Sequence, residues 1–121
     1  MKKWNQSKFL IGLMILCLVA ACRADKSPAT LLQEALYAEE TEGDLDKAIT
    51  IYQQVLAESS PIQRIAAQAT YQLGLCHLKK DEKEKAAEYF QQVVSNYPTQ
   101  KNFSRQAGEQ LEKLDIKAES G

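Results

Sequence analysis

The chain has 121 residues, which is enough for one small domain. Its 15 basic and 16 acidic residues leave no basic excess, which argues against a nucleic-acid-binding protein. Only 5 glycines and 3 prolines are present, and beyond the first 21 residues the apolar positions recur at helical spacing, which favours an all-α fold.

Residues 1–21 differ in composition from the rest of the chain. Residues 1–8 contain three lysines and no acidic residue. Residues 9–19 form an apolar run, which is followed by the small residues Ala20 and Ala21. A basic start, a short apolar stretch and small residues before a cut site are typical of a secretory signal. The run is well short of the roughly 20 residues that cross a bilayer as a helix, so a retained membrane helix is the less favoured alternative.

The end of this segment carries a more specific pattern. Val19-Ala20-Ala21-Cys22 has an aliphatic residue, two small residues and a cysteine, and it resembles the lipobox of bacterial lipoproteins. The resemblance implies a diacylglycerol on the Cys22 thiol, cleavage between Ala21 and Cys22, and an acyl group such as palmitate on the mature protein. An ordinary secretory signal that ends near a cysteine is the alternative.

A lipid on Cys22 predicts where the mature protein resides. One acyl chain holds a protein weakly, whereas two or more hold it stably. Residues 22–27 are polar and would form a short lipidated tether. In enteric bacteria, Asp directly after the lipidated cysteine resembles an inner-membrane retention signal. Position 23 of this chain is Arg, and the absence of Asp there favours the outer membrane. The sequence therefore predicts a lipid-anchored envelope protein, in the outer membrane and facing the periplasm.

Cysteine and charge in the mature chain are also informative. Cys76 is the only cysteine after Cys22, so we expect no internal disulfide. We interpret Cys76 as a small buried apolar residue, with intermolecular pairing as the alternative. Without the three lysines of the signal, 12 basic and 16 acidic residues remain. An acidic stretch at 34–46 and lysines within 79–85 are expected to be solvated faces, or else opposite ends of a partner contact.

Five helical segments are predicted after the tether. They cover about 28–42, 45–58, from 61 to about 78, 82–96 and 100–117. Their expected N-caps are Ser27, Asp44, Ser60, Asp81 and Thr99. The third segment has two apolar stripes, so we expect it at the centre of the array. These stripes are Ile62, Ile65, Ala66, Ala69, Leu73 and Cys76, and Ala67, Tyr71, Gly74, Leu75 and Leu78.

The segments form an internal repeat. Residues 42–55 parallel 80–93, with Ala48 equivalent to Ala86, 38 positions later. Leu73-Gly74, Ala86, Phe90 and Pro98 resemble the motif of the tetratricopeptide repeat (TPR), a 34-residue helix–turn–helix unit. The resemblance implies an all-α, TPR-like solenoid with two repeats, at 28–58 and 61–97. A capping helix at 99–117 and a disordered tail at 118–121 complete the chain. An unrelated five-helix bundle is the alternative.

The TPR resemblance also implies a function. Such repeats present a groove, lined mostly by first helices, to a protein or peptide. The matching groove positions are Gln33, Tyr37, Glu40, Tyr71, Leu75, Leu78 and Lys79, among which Tyr37, Tyr71, Leu75 and Leu78 would form an apolar strip. If the last helix covers this strip, the same residues are core. Because solenoids need about three repeats to be stable alone, we expect self-association or docking on a larger partner.

The subtype narrows the expectation to the cell envelope. Tyr71-Gln72-Leu73-Gly74 and the closing Asn96-Tyr97-Pro98 are similar to periplasmic TPR proteins of cell-envelope machines, of the barrel-assembly lipoprotein and Tol–Pal coordinator type. This similarity implies a scaffold or adaptor in envelope assembly or division. The alternative is a regulatory or accessory lipoprotein that captures a specific peptide or envelope component.

No catalytic chemistry is predicted. His77, the only histidine, follows Cys76, and adjacent helical residues diverge by about 100°, so the two cannot easily form a nucleophile–base pair or a metal site. The sequence contains no glycine-rich phosphate loop and no metal-spaced cluster. We therefore expect no enzyme, no metal and no cofactor other than the covalent lipid on Cys22.

Overall fold

A computed structural model describes residues 26–59 and 62–120, with side chains described as far as residue 115 except that of Ser59. The predicted signal, its cleavage site and Cys22 lie outside these residues. The elements in chain order are α1 (Pro28–Tyr37), a π-helical segment (Ala38–Glu42), α2 (Leu45–Ser59), α3 (Gln63–Lys79), α4 (Lys83–Asn96) and α5 (Lys101–Ser120). Within the described residues, no helix is long and apolar enough to cross a membrane.

The first two helices begin and end where their local sequence predicts. The Ser27 hydroxyl accepts a hydrogen bond from the Thr30 amide at 3.2 Å, and Pro28 takes the first helical position. The π-helical segment ends at Gly43, whose φ of 68° lies in the left-handed region that glycine adopts without a steric penalty. Asp44 then caps α2, because its carboxylate accepts the Lys47 amide at 3.1 Å.

The helices form two layers. One layer contains the first helix of each pair, with α1 beside α3 and α3 beside α5. The other layer contains α2, which packs on α1 and α3, and α4, which packs on α3 and α5. Each helix is therefore antiparallel to its predecessor along the chain, and α3 lies at the centre with neighbours on both sides. The prediction of an all-α solenoid with a central third helix is confirmed.

Two apolar clusters hold the array together, and α3 contributes to both. The first cluster joins α1, α2 and α3, and its largest buried members are Tyr52, Leu73 and Val55. The second joins α3, α4 and α5 around Phe90 and Val93. Within α3, Leu73 and Cys76 face the first cluster and Tyr71 faces the second, which matches the two predicted stripes. Ile62 is the exception, because it stands at the start of α3 and is 43% exposed.

Helices α3 and α4 approach each other closely at Gly74. A Cβ atom on this residue would lie 2.5 Å from Cε1 of Phe90, which is far inside van der Waals contact. Phe90 is itself completely buried. Glycine is required here because the aromatic ring of α4 rests directly on the backbone of α3. The two helices of the second predicted repeat, α3 and α4, thus pack together through the contact between Gly74 and Phe90.

Asp81 has a different role from the predicted one. It was expected to cap α4, but its φ of 60° places it in the left-handed region, at the end of α3. Its amide donates to the Leu78 carbonyl at 2.9 Å, and the Glu82 amide donates to the His77 carbonyl at 2.8 Å. This is a Schellman motif, in which glycine is the usual residue at the left-handed position. The capping prediction was wrong because Asp81 lies in the turn whose backbone amides donate to the last carbonyls of α3.

Substitutions of Asp81 should show whether its left-handed backbone conformation reduces the stability of the protein. We expect Asp81→Gly to raise the free energy of unfolding by up to about 1 kcal/mol, because glycine adopts a positive φ without the cost that other residues incur. Asp81→Ala should lower it instead, since alanine adopts this conformation less readily than aspartate. Thermal unfolding of the three proteins would measure the order. If Asp81→Ala were as stable as Asp81→Gly, backbone strain at this turn would be negligible.

The last loop and helix also depart from the predicted boundaries. α5 begins at Lys101, and the Gln100 carbonyl accepts the Ser104 amide at 2.9 Å, so Gln100 and not Thr99 takes the capping position. The Thr99 hydroxyl instead donates to the Gln63 side chain of α3 at 3.2 Å. At the other end, α5 extends to Ser120, into the segment predicted as a tail. Ser60, the expected cap of α3, lies outside the described residues, and α3 begins at Gln63.

Candidate interaction site

The structure divides the predicted apolar strip between two environments. Tyr37 is 57% exposed on α1. Tyr71 is only 8% exposed, and its ring centroid lies 5.6 Å from that of Phe90 and 6.1 Å from that of Phe103. Leu75 and Leu78, both half-buried, pack against the same second cluster. The four residues therefore do not form one continuous exposed surface.

Helix α5 is the reason for this division. Its apolar residues Phe103, Ala107, Leu111 and Leu114 all belong to or pack against the second cluster. Phe103 covers Tyr71 in particular. The alternative interpretation, that the last helix covers the strip and makes it core, therefore describes Tyr71 and part of the surfaces of Leu75 and Leu78. A partner that binds the described surface would reach Tyr37 far more readily than Tyr71.

Tyr37 lines a shallow depression between α1 and α2, which we call the Tyr37 pocket. Its lining combines the aromatic ring of Tyr37 and the half-buried Ile51 with polar and charged side chains, namely those of Lys26, Thr30, Gln33, Glu34, Glu42 and Lys47. Two ion pairs border it, Lys26–Glu34 at 2.8 Å and Lys47–Glu42 at 3.0 Å. A depression that combines an exposed aromatic ring with charged side chains is suited to an amphipathic peptide segment. Two further predicted groove positions, Gln33 of α1 and Glu40 of the π-helical segment, are also exposed.

A buried carboxylate at the end of the first helix was not predicted. The Glu39 side chain is 3% exposed, and it lies in the π-helical segment. Its Oε1 accepts a hydrogen bond from the Tyr52 hydroxyl of α2, and its Oε2 accepts one from Lys79 Nζ of α3, both at 2.7 Å. Glu39, Tyr52 and Lys79, the Glu39 network, therefore connect three elements around one carboxylate. The sequence signal for this burial is that Glu39 follows the apolar residues Leu32, Ala35 and Leu36 at helical spacing.

The network changes the chemistry of its neighbours. Burial, together with the hydrogen bond to Glu39, raises the pKa of Tyr52 far above its usual value, so the phenol stays protonated and donates. Burial and the nearby negative charge of Glu39 raise the pKa of the Cys76 thiol to about 12. A thiol needs its thiolate form to react, so Cys76 is inert at neutral pH. The structure thus places Cys76 in the core, where the sequence predicted it.

The acidic stretch and the later lysines meet each other within the chain. Lys79 of α3 pairs with Glu39, and Lys80 at the end of α3 pairs with Asp46 of α2. These contacts join residues 40 and 34 positions apart and cross from the first helix pair to the second. The hydrogen bond with Asp46 raises the pKa of Lys80. Both ion pairs, Lys79–Glu39 and Lys80–Asp46, therefore connect the first helix pair to the second.

His77 is a packing residue in the second pair. It is 6% exposed, and its ring stacks on Tyr89 with centroids 5.3 Å apart and planes 9° from parallel. Its Nδ1 lies 3.3 Å from Glu82 Oε1, and this hydrogen bond holds the pKa of Glu82 below its ordinary value. Cys76 belongs to the first apolar cluster, and its side chain leaves α3 in a direction about 100° from that of His77. No group of three or more potential metal ligands occurs in the described part of the chain.

A family comparison agrees with this architecture. A protein-family model of the tetratricopeptide repeat matches residues 32–101, which is more than half of the chain and runs from α1 to the start of α5. The chain belongs to the tetratricopeptide repeat family. TPR units generally mediate protein–protein interaction, and their all-helical fold is typically a non-enzymatic interaction module. No curated protein and no solved structure matches the chain.

Family membership explains two of the contacts described above. Gly74 and Phe90 occupy the small and aromatic positions of the TPR motif, and the structure shows that one lies directly on the other. In the first TPR unit, Leu36 stands where Gly74 stands in the second, and Tyr52 stands where Phe90 stands. The hydroxyl of Tyr52 is one of the two donors, with Lys79, that satisfy the buried carboxylate of Glu39. The two units of this TPR domain therefore share a backbone plan but differ in the polarity of their cores.

Proposed function

We propose that this protein is a membrane-anchored lipoprotein whose TPR module binds protein partners as a scaffold or adaptor in cell-envelope assembly or division. The observation that carries the proposal is the order of the sequence. A lipobox-like Val19-Ala20-Ala21-Cys22 is followed after a few residues by a TPR domain with no predicted catalytic group. Lipid at one end and an interaction module at the other are the two parts that a membrane-bound adaptor needs.

The length of the tether supports this arrangement. α1 begins at Pro28, so six residues, 22–27, would separate the lipid from the first helix. A chain of that length spans at most about 20 Å when fully extended. The domain would therefore stay within about one domain diameter of the bilayer, with the outer membrane as the proposed site. A partner would be held near the membrane surface rather than collected from the whole periplasm.

The Tyr37 pocket is the proposed contact for a partner. In the part of the chain that the structure describes, Tyr37 and Ile62 are the only large hydrophobic side chains that are strongly exposed. Tyrosine is enriched at protein interfaces because it offers a large rigid surface and a polar end. A second role, as a regulatory or accessory lipoprotein that captures a single peptide or envelope component, would use the same pocket.

The anchor is tested by metabolic labelling. We expect the wild-type chain to incorporate a labelled fatty acid and to fractionate with membranes, whereas Cys22→Ala should lose the label, since the thiol is the acceptor. Cys76→Ala is the matched control, because this buried thiol should not be acylated and its loss should leave labelling unchanged. An unlabelled wild-type protein, or a mature chain that begins anywhere other than residue 22, would contradict the proposed anchor.

The interaction site is tested by recovery of partners from cross-linked cells. Tyr37→Ala should reduce the recovered partner several-fold, because the exposed ring is removed without a change in the core. Ile62→Ala removes the other strongly exposed apolar side chain and should leave recovery unchanged. A fixed set of several co-recovered envelope proteins would support the scaffold role, and a single protein would support the capture role. Equal recovery by both variants would exclude the Tyr37 pocket.

A further inference from the structure

Helix α5 has a second face that takes no part in either apolar cluster. Phe103, Ala107, Leu111 and Leu114 turn toward α3 and α4. On another side of the helix lie five residues separated by three, four, four and three positions, namely Lys101, Ser104, Gly108, Glu112 and Asp115. Positions three and four apart follow one stripe along a helix. We call this the α5 stripe; its residues are exposed or half-exposed, and its spacing is symmetric about Gly108.

The centre of the α5 stripe is open to close approach. A Cβ atom on Gly108 would meet no other atom within 4 Å, in contrast to Gly74, whose position is filled by the ring of Phe90. Ser104, one turn earlier, is also small. Two helices can approach closely where small residues leave the backbone uncovered. A residue of another helix could therefore approach the backbone of α5 at Gly108.

The polar groups on either side of Gly108 have opposite character. Lys101 and Ser104, on the amino-terminal side, can donate hydrogen bonds, whereas Glu112 and Asp115, on the carboxyl-terminal side, accept them. None of Lys101, Glu112 and Asp115 takes part in an ion pair with another described side chain. The first turn of α5 contains no acid and begins with Lys101, a charge that the helix dipole disfavours at this end.

We propose that two copies of this chain pair through the α5 stripe, with their α5 helices antiparallel and Gly108 of each copy at the two-fold axis. In that arrangement Lys101 of one copy faces Asp115 of the other, and Ser104 faces Glu112, because each pair is equally distant from Gly108. The two-fold axis creates every contact twice. A parallel pair would place Lys101 against Lys101 and Asp115 against Asp115. Charge complementarity therefore selects the antiparallel second copy as the occupant.

The pairing would cover a face of α5 that neither apolar cluster uses. This inference concerns the face of α5, so it does not depend on the lipid anchor or on the Tyr37 pocket.

Disulfide trapping tests the centre of the interface. The full chain with Gly108→Cys is expressed in bacterial cells, oxidised, and analysed by non-reducing electrophoresis. The open space at Gly108 accommodates the new side chain, and Cys76 remains in place because its buried thiol does not react. We expect a covalent dimer from Gly108→Cys and only background from the wild type. Asn102→Cys, exposed about 120° around the same helix, is the matched control and should stay monomeric.

Charge reversal then tests the orientation. In the Gly108→Cys background, Lys101→Asp or Asp115→Lys should each lower the trapped fraction on the order of tenfold, because like charges then face each other twice. The combination of Lys101→Asp with Asp115→Lys should restore it. A monomeric Gly108→Cys protein, trapping by Asn102→Cys to the same extent, or no recovery in the combined variant would overturn the proposal. Trapping of Gly108→Cys to a different protein in place of a second copy would also overturn it.

Discussion

Phe90→Ala should lower the free energy of unfolding by about 3–5 kcal/mol, the range typical of truncating a buried aromatic residue. The ring is fully buried in the second cluster, where it lies against the backbone of Gly74 and beside Tyr71. Its removal would leave a cavity that α3 and α4 cannot close without a shift of whole helices. Because small domains are stable by only about 5–15 kcal/mol, much of the total would be lost. Urea unfolding followed by circular dichroism measures the change.

A second substitution shows whether the loss arises at the contact with Gly74. Gly74→Ala should cost about 1–3 kcal/mol in the wild type, because the added methyl group would overlap the ring of Phe90. In the Phe90→Ala protein the same methyl group enters the vacated space, so it should cost little or even stabilise. Glu88→Ala, on the exposed side of α4, is the control and should change stability by less than about 0.5 kcal/mol. Strictly additive losses for Gly74→Ala and Phe90→Ala would contradict the packing described.

Glu39→Leu should lower the free energy of unfolding by about 1–3 kcal/mol, even though it replaces a buried carboxylate with an apolar side chain. The reason is that the Tyr52 hydroxyl would lose its only described acceptor while it remains buried. Lys79 would lose its partner too, but its half-exposed side chain can return to water. The cost is therefore smaller than for a charge that is left buried alone.

A double variant tests whether the unpaired Tyr52 hydroxyl is the cause of the lower stability. Glu39→Leu together with Tyr52→Phe removes the donor as well as the acceptor, and it should be more stable than Glu39→Leu alone. Tyr52→Phe by itself should be destabilising, because Glu39 then keeps only the hydrogen bond from Lys79. Urea unfolding of the four proteins measures the coupling. If the second substitution made the Glu39→Leu protein less stable, the hydroxyl would have another role than the one shown by the structure.

The amino-acid sequence alone determined the helices and much of their order. Ser27, Gly43 and Asp44 act through hydrogen bonds and backbone angles within a few residues, so their effects can be predicted locally. The two-sided pattern of α3 likewise predicted a central helix, because both apolar faces of a helix must be covered. The resemblance to the TPR family then rested on the repeat that relates Ala48 to Ala86 together with the motif residues Leu73-Gly74, Phe90 and Pro98.

Only the tertiary structure decided which side chains meet across those helices. Glu39 follows Leu32, Ala35 and Leu36 at helical spacing, but its partners Tyr52 and Lys79 are 13 and 40 residues away. Their meeting depends on how three helices are rotated and offset. The same applies to Tyr71, which an exposed groove would present but which Phe103 of α5 covers. The spacing of apolar residues predicts which face of a helix is buried, because residues three and four positions apart in the sequence share that face. It cannot predict which helix covers that face, because that depends on the packing of the whole array.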